Sequence, residues 1–365
     1  MNYIALKDVC TINMGQSPES SSYNEIGDGI PFFQGNADFG ERYPITRVWC
    51  NKPTKVAKAE DILISVRAPI GAMNYAKEKC CIGRGVAALT PNEEKVSSEF
   101  IFWLLKGKNN ELNQKGTGST FKAIGRKVLE EIQVPEINLE LQRKYASNLE
   151  RIYSIIQDRQ RQLEQLDKLV RARFVEMFGD PVSNSYGLPE ATLPELGKFG
   201  RGVSKHRPRN DPRLLDGEYP LVQTGDVANA SLYITSYNST YSELGLKQSK
   251  MWSKGTLCIT IAANIAKTAI LEFDACFPDS VVGFIANEKT NNIFIHYWFS
   301  FFQAILESQA PESAQKNINL KILSELKVIV PEKEKQNEFV DFVHQVDKSK
   351  LQYHPHTHTC QPNTS

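Results

Sequence analysis

Several groups of residues in this chain are of types that can do chemistry. Gly116-Thr-Gly-Ser-Thr120, flanked by Lys115 and Lys122, is a small, polar, glycine-rich loop whose backbone N–H groups can face a phosphate. No strand, helix and lysine surround it as a nucleotide-binding loop requires. Contact with a nucleic-acid backbone through Lys115, Thr117, Ser119, Thr120 and Lys122 is one reading, and a plain surface turn is the other. Gln34, Asn36, Arg67, Gln223 and Asn264 stand in polar turns at the ends of apolar runs. Asn and Gln can pair bidentately with adenine and Arg with guanine, so these positions are candidates for reading base edges. Gln34 and Gln223 occupy matched places, and holding a turn is their alternative role.

Local charge adds two more candidate sites. From Leu112 to Leu129 there is no acid but there are four bases, Lys115, Lys122, Arg126 and Lys127. From Lys198 to Arg213 six bases, among them Lys205, Arg207 and Arg209, together with His206, face the single acid Asp211. Both stretches suit phosphate contacts, against the alternative of solvated loops. Lys267 lies beside Asn264, and Gln315, Lys316 and Asn317 in the second half answer Thr120, Phe121 and Lys122 in the first, which suits a shared backbone contact. His354, His356 and His358 alternate ahead of Cys360 and can take a transition metal opportunistically. In so polar a terminal stretch, the expectation for 353–365 is a disordered tail with no functional metal.

Catalytic constellations are missing. The chain has no GxxxxGK[ST], no GxGxxG opening a helix after a strand, and no HExxH. It has no Asp/Asn-Pro-Pro-Tyr/Phe stretch of the kind that holds a target adenine for methylation. Pro278-Asp279 invites a nuclease reading, but Asn287-Glu288-Lys289 is in the wrong order for the Glu-x-Lys pair that should follow.

The elements that must position these residues come as a repeat. Ile30-Pro-Phe-Phe-Gln-Gly-Asn36 is answered by Tyr219-Pro-Leu-Val-Gln-Thr-Gly-Asp226, with Gln34 and Gln223 189 residues apart. Leu63 and Leu257, in β-rich runs, are 194 apart, and Trp103 and Trp298, in aromatic helix starts, are 195 apart. Each half closes on an apolar strand ending in Pro135 or Pro331, followed by a helix start bearing Gln142 or Gln336. Five landmarks in order at nearly one offset predict two related, mostly β globules, 1–138 and 181–331. Between them, Leu139 to Phe178 contains no Pro or Gly, and apolar residues recur every three or four positions. That pattern predicts one helix of ~60 Å, longer than either globule needs, whose narrow stripe asks for another helix. The second copy, 332–352, carries Phe339, Phe342, Val343 and Val346 on one face and is about half as long. If the two pack antiparallel they form a strut, with a pseudo-twofold between halves.

Composition sets the outer bounds. The 365 residues exceed one ordinary core, and 41% hydrophobic with 23% charged residues is ordinary globular material. A net charge of +1 gives no bulk reason to expect nucleic acid or a membrane surface. Seven scattered cysteines with no CxxC indicate neither a disulfide framework nor a zinc module. The N-terminus lacks the basic start and apolar stretch of a signal peptide, and no apolar run suits a membrane span, so a cytoplasmic protein is expected.

Two diverged β-rich units, each ending in a Val-Pro strand and a Gln-bearing helix, resemble the specificity subunit of type I restriction-modification systems. Gly116-Thr-Gly-Ser-Thr-Phe-Lys-Ala-Ile124 in the first half and the helix exit Leu166-Asp-Lys-Leu-Val-Arg-Ala-Arg-Phe-Val-Glu-Met-Phe-Gly-Asp-Pro181 add to the likeness, which runs from Tyr3 to about Leu351. The resemblance implies an α+β fold with two target recognition domains, each reading half of a bipartite double-stranded DNA site, and paired helices as an antiparallel coiled coil fixing the spacer. It implies no catalytic site and no cofactor in this chain. S-adenosylmethionine, ATP and Mg would sit on partners, namely two adenine-methylating subunits and the restriction subunits. By the same resemblance the methylating subunits dock on the helices, for which Leu149, Ile152, Ile156, Leu163, Leu166, Phe339, Phe342 and Val346 are the candidates. The short second helix departs from the family pattern. A protein-binding scaffold and a fused nuclease or methyltransferase are the alternative readings.

Overall fold

The computed structural model describes residues 2–118, 122–262, 265–309 and 318–353. Expectations resting on Ser119, Thr120, Asn264, Gln315, Lys316, Asn317 and the histidine tail lie outside these residues. The chain divides into two compact units, Met1–Asp158 and Arg159–Ser365, with the division in the middle of the long helix Leu139–Phe178.

In the first unit Cys10–Met14, Val86–Pro91, Ile62–Ser65 and Met73–Tyr75 form an antiparallel sheet in that order. Ile62–Ser65 is buried along its whole length: Ile62, Leu63 and Ile64 suit a strand covered on both faces, and the buried Ser65 hydroxyl donates to the Pro69 carbonyl at 2.5 Å. A second sheet runs Tyr23–Asn24, Trp49–Cys50, Ile30–Phe33, Cys80–Ile82, Val56–Ala57. Its one parallel pairing sets Phe32 beside Cys81. A third, two-stranded sheet joins Tyr3–Ala5 to the Val-Pro strand Gln133–Pro135.

The second unit repeats this plan. Gly197–Arg201, Val281–Ala286, Leu257–Thr260 and Thr268–Leu271 form the antiparallel sheet, extended by the edge strand Tyr233–Ile234. Leu215–Leu221 runs parallel to Ala275–Cys276, which pairs in turn with Met251–Trp252. Glu190–Thr192 pairs with the second Val-Pro strand, Lys327–Ile329. The duplication read from five landmarks is thus a duplication of strand order and of parallel and antiparallel sense.

The long helix begins where Asn138 accepts the Leu141 N–H at 2.8 Å and ends at Gly179, whose φ of +75° is the left-handed turn that glycine takes without strain. Its first half belongs to the first unit: Ala146 is buried in that core, Tyr153 packs edge-on against Trp103, and Lys106 lies 3.7 Å from the Tyr153 ring centroid. Its second half belongs to the second unit, where Val170, Phe174 and Phe178 join Phe294, Phe339 and Val343 in one aromatic core. The closing helix Lys333–Tyr353 lies antiparallel to this second half, with Phe339 against Phe174 and Lys350 bonded to Asp167 at 2.7 Å.

Candidate nucleic-acid interface

The candidate residues of the first half meet at one end of its sheets, drawn together by main-chain hydrogen bonds. Gly83 N donates to Phe33 O at 2.8 Å, which lays the turn Gly83-Arg84-Gly85 along Phe33-Gln34. A Cβ at Gly85 would stand 2.2 Å from the Gln34 carbonyl oxygen, so only glycine allows the approach. Val66 N donates to Gly85 O and Ala68 N to Lys122 O, while Arg67 and Thr117 both pair with Ala123. Gln34, Arg84, Arg67, Lys122 and Thr117 are therefore consecutive along one exposed edge.

The side chains on this edge divide by whether they already have partners. Arg67, Arg84 and Lys122 are exposed and carry no ion pair among the described residues. Lys115 is bonded to Glu111 at 2.6 Å; with Lys108 it holds that carboxyl well down, at about 2. Arg126 donates to the Ile12 carbonyl at 2.7 Å and faces Glu130 at 3.4 Å, so its guanidinium ties a helix to a strand. Arg84 was not among the residues singled out from the sequence. Its signal is an arginine between two glycines just after a buried strand.

Gln34 and Gln223 have the same setting. Asp38 accepts the main-chain N–H of Gln34 at 2.7 Å, and Asp226 accepts that of Gln223 at 2.8 Å. The aspartates build the turns, and both glutamine side chains are exposed, with Gln223 Nε2 donating to Ser239 at 3.1 Å. Asn36 opens the short 3-10 turn Asn36–Asp38 and is half-buried.

The second unit builds the same edge with different side chains. Ile261 N donates to Ser280 O, Gly202 N to Val281 O and Ile318 N to Ile261 O, repeating the bonds of Val66 to Gly85, Gly15 to Val86 and Ile124 to Val66. The loop Lys205–Arg209 lies over this edge. Arg207 bonds Asp279 at 3.3 Å, Arg209 bonds the other oxygen of the same carboxylate, and Lys205 is exposed. Asp211 is held below the usual carboxylate range, chiefly by Arg213 and then by His206. Lys267 bonds through its main chain to Thr260 and lines a cleft of about 300 Å³ with Asp167, His296 and Lys350, none of them a residue of this edge.

The residues proposed for partner contact also separate. Leu149, Ile152 and Ile156 are 43%, 55% and 56% exposed. Phe339 and Val346 are buried, with Leu166 and Phe342 packed against them, inside the second unit's own core; Leu163 is half-buried. Two residues whose role the sequence did not reveal are Gln142 and Gln336, both buried. Gln142 accepts from Ser97 N and donates to Ile137 O; Gln336 bonds Thr290 Oγ1, Lys289 O and Pro331 O.

Among the described residues no cluster of His, Cys, Asp and Glu is placed to hold a metal, and no helix is long and apolar enough to cross a membrane. Burial pushes the Cys10 and Cys80 thiols up to about 12, which keeps them protonated at neutral pH.

A family model described as Type I restriction modification DNA specificity domain matches residues 1–166 and again 190–356. Over 157 residues, 43% of this chain and 37% of the relative, the sequence is 48% identical to the MjaX type I restriction enzyme specificity subunit of Methanocaldococcus jannaschii. It is 22% identical to the EcoBI type I restriction enzyme specificity subunit of Escherichia coli, over 94% of this chain and 78% of that one. The match to the archaeal subunit spans well under half of that protein's length. The crystal structure of the S subunit of a type I restriction-modification system from M. genitalium has the same fold, with a TM-score of 0.58 at 16% identity over 96% of this chain and 90% of that one. With two copies of the domain in matched order, the chain belongs to the type I restriction-modification DNA specificity family.

Proposed function

We propose that this chain is the non-catalytic DNA-specificity subunit of a cytoplasmic type I restriction-modification complex, reading a bipartite double-stranded DNA target with one half-site per unit. The observation that carries the reading is one backbone frame built twice, with a matched glutamine (Gln34 and Gln223) in each copy but different side chains elsewhere on its exposed edge: Arg67, Arg84 and Lys122 in one unit, Arg207, Arg209 and Asp279 in the other. A shared frame suits one DNA geometry, and different side chains suit two sequences. Adenine-methylating subunits are the partners proposed for the exposed Leu149, Ile152 and Ile156 face, and restriction subunits join in the full assembly. S-adenosylmethionine, ATP and Mg belong to those partners.

The test is to reconstitute the chain with its methylating subunits and map methylated adenines across a genome. A two-part motif with a fixed gap is expected. Methyl transfer by the purified chain alone, or methylation with no two-part motif, overturns the reading.

A further inference from the structure

Arg84 and Asp279 occupy the same place in the two units. Each is the middle residue of a turn closed by the same bond, Val86 N to Gly83 O and Val281 N to Pro278 O, both 3.0 Å. Each turn is then fixed by a neighbouring strand end through Val66 N to Gly85 O in one unit and Ile261 N to Ser280 O in the other. At this one position of a shared frame the first unit presents an exposed guanidinium with no partner among the described residues. The second presents a carboxylate that bridges two guanidinium groups, those of Arg207 and Arg209.

A contact to the phosphate backbone has no reason to differ between the halves, because the backbone is the same along the whole duplex. A contact to base edges must differ wherever the half-sites differ. Net charge at the turn is alike in the two units, one guanidinium in the first and two guanidinium groups less one carboxylate in the second; what differs on the unchanged frame is how the donors are arranged, and it is base edges, not phosphates, that require such a difference. The Asp279 network is also too weak to be there for stability. Its carboxylate is 35% exposed and its two arginines are 53% and 46% exposed. Surface pairs of this kind contribute little to folding. What the carboxylate does is orient: it takes part of each guanidinium fork and fixes the direction of the donors that remain, while Arg207 is further held by the Ser204 and His206 carbonyls at 2.6 and 2.9 Å.

Building on the function proposed above, we infer that this turn is the sequence-reading position of both units. In the first unit Arg84 itself reads a guanine through its paired N–H donors. In the second unit Asp279 is a positioning residue that aims Arg207 and Arg209 at the bases. Guanine is the base because its O6 and N7 acceptors match the arginine fork in the major groove.

The experiment compares wild type, Arg84→Ala, Arg84→Lys and Asp279→Asn, each assembled with the methylating subunits. Binding is measured to duplex libraries randomised one base pair at a time, at several salt concentrations, and the methylated motif is mapped in parallel. For Arg84→Ala, discrimination at one G·C pair of one half-site should fall roughly 5- to 150-fold. Arg84→Lys should restore it only in part, since an ammonium on a flexible stem can reach O6 and N7 but lacks the rigid planar fork that matches them. Asp279→Asn should relax positions in the other half-site only. Uniform weakening across all sequences with the salt slope reduced by about one marks a phosphate contact and overturns the inference. So does an unchanged motif. A wild-type complex without any two-part motif would instead strike down the proposed function, which keeps the two failures apart.

Discussion

The side-chain amide of Gln142 reaches from the start of the long helix into the first core, and Gln336 does the same for the closing helix in the second. With their carbonyl and NH2 groups buried, each anchors its helix start to main-chain groups of its own unit, Ser97 and Ile137 in one case, Lys289 and Pro331 in the other. Gln142→Ala leaves the Ser97 N–H buried without its acceptor, which should cost about 1–3 kcal/mol, and Gln336→Ala should cost a similar amount. Denaturant unfolding of the two variants checks this, and a loss within experimental error of zero refutes the anchoring role. The same reasoning separates two bases that the sequence placed together. Lys122 is exposed without an ion pair among the described residues, so Lys122→Ala should weaken DNA binding by the assembled complex and lower the salt slope by about one, with no loss of stability. Arg126 spends its guanidinium on the Ile12 carbonyl, so Arg126→Ala should lower stability by about 1 kcal/mol. Thermal unfolding of both variants beside salt-dependent binding distinguishes the roles. Sequence alone ranks lysines and arginines by number and spacing. It does not show which ones the protein has already paired, which is why Lys115 and Arg126 stood level with Lys122, and why Arg84, isolated between glycines, drew no notice.

Among the elements, the long helix was the most legible, because an uninterrupted stretch from Leu139 to Phe178 with a three-four apolar recurrence has no other regular solution. The repeat was legible too, since strands buried on both faces such as Ile62–Ser65 and Leu257–Thr260 keep their apolar text when the surrounding loops diverge. What the stripe did not disclose is where each part of it packs. Phe174, Phe178 and Phe339 close the core of the second unit, whereas Leu149, Ile152 and Ile156 remain exposed on the half of the helix that belongs to the first. Periodicity reports that a face is apolar and says nothing about what covers it. The two segments therefore predict opposite outcomes. Phe174→Ala should destabilise the second unit by about 3–5 kcal/mol through the cavity it leaves. Glutamate at Leu149, Ile152 and Ile156 together should leave the melting temperature near wild type and weaken association with the methylating subunits at least tenfold. Calorimetry and sedimentation of the mixed subunits read these two effects independently, and a triple variant that still assembles normally would remove this face from the proposed docking surface.

At the scale of the whole chain the net charge of +1 hides an uneven distribution of titrating groups. All six histidines lie at position 206 or beyond, so the first unit contains none. In the second unit the His296 ring accepts or donates at 2.9 Å to Thr268 Oγ1, and burial, the dominant cause, pulls its pKa down to about 4. A histidine whose folded pKa lies below its unfolded value of about 6.5 stays neutral in the folded state while the unfolded chain takes up a proton. The stability it contributes is complete above about pH 6.5, declines as the pH falls toward 4, and is absent below that. Each pH unit inside that window removes up to about 1.4 kcal/mol. The cores are built from separate residue sets, one from Leu6 to Ala146 and the other from Val170 to Val346, so two unfolding transitions are expected. Acidification from about pH 7 to about pH 5.5 should then lower the transition of the second unit by roughly 2–5 °C and leave that of the first, which contains no histidine, nearly in place. His296→Gln keeps a hydrogen-bonding partner for Thr268 but removes the proton uptake, so its second transition should hardly move between the two pH values. Scanning calorimetry of the full chain and of this variant decides the matter: equal shifts of both transitions, or a variant as acid-sensitive as wild type, would show that His296 does not set the acid limit of the second unit.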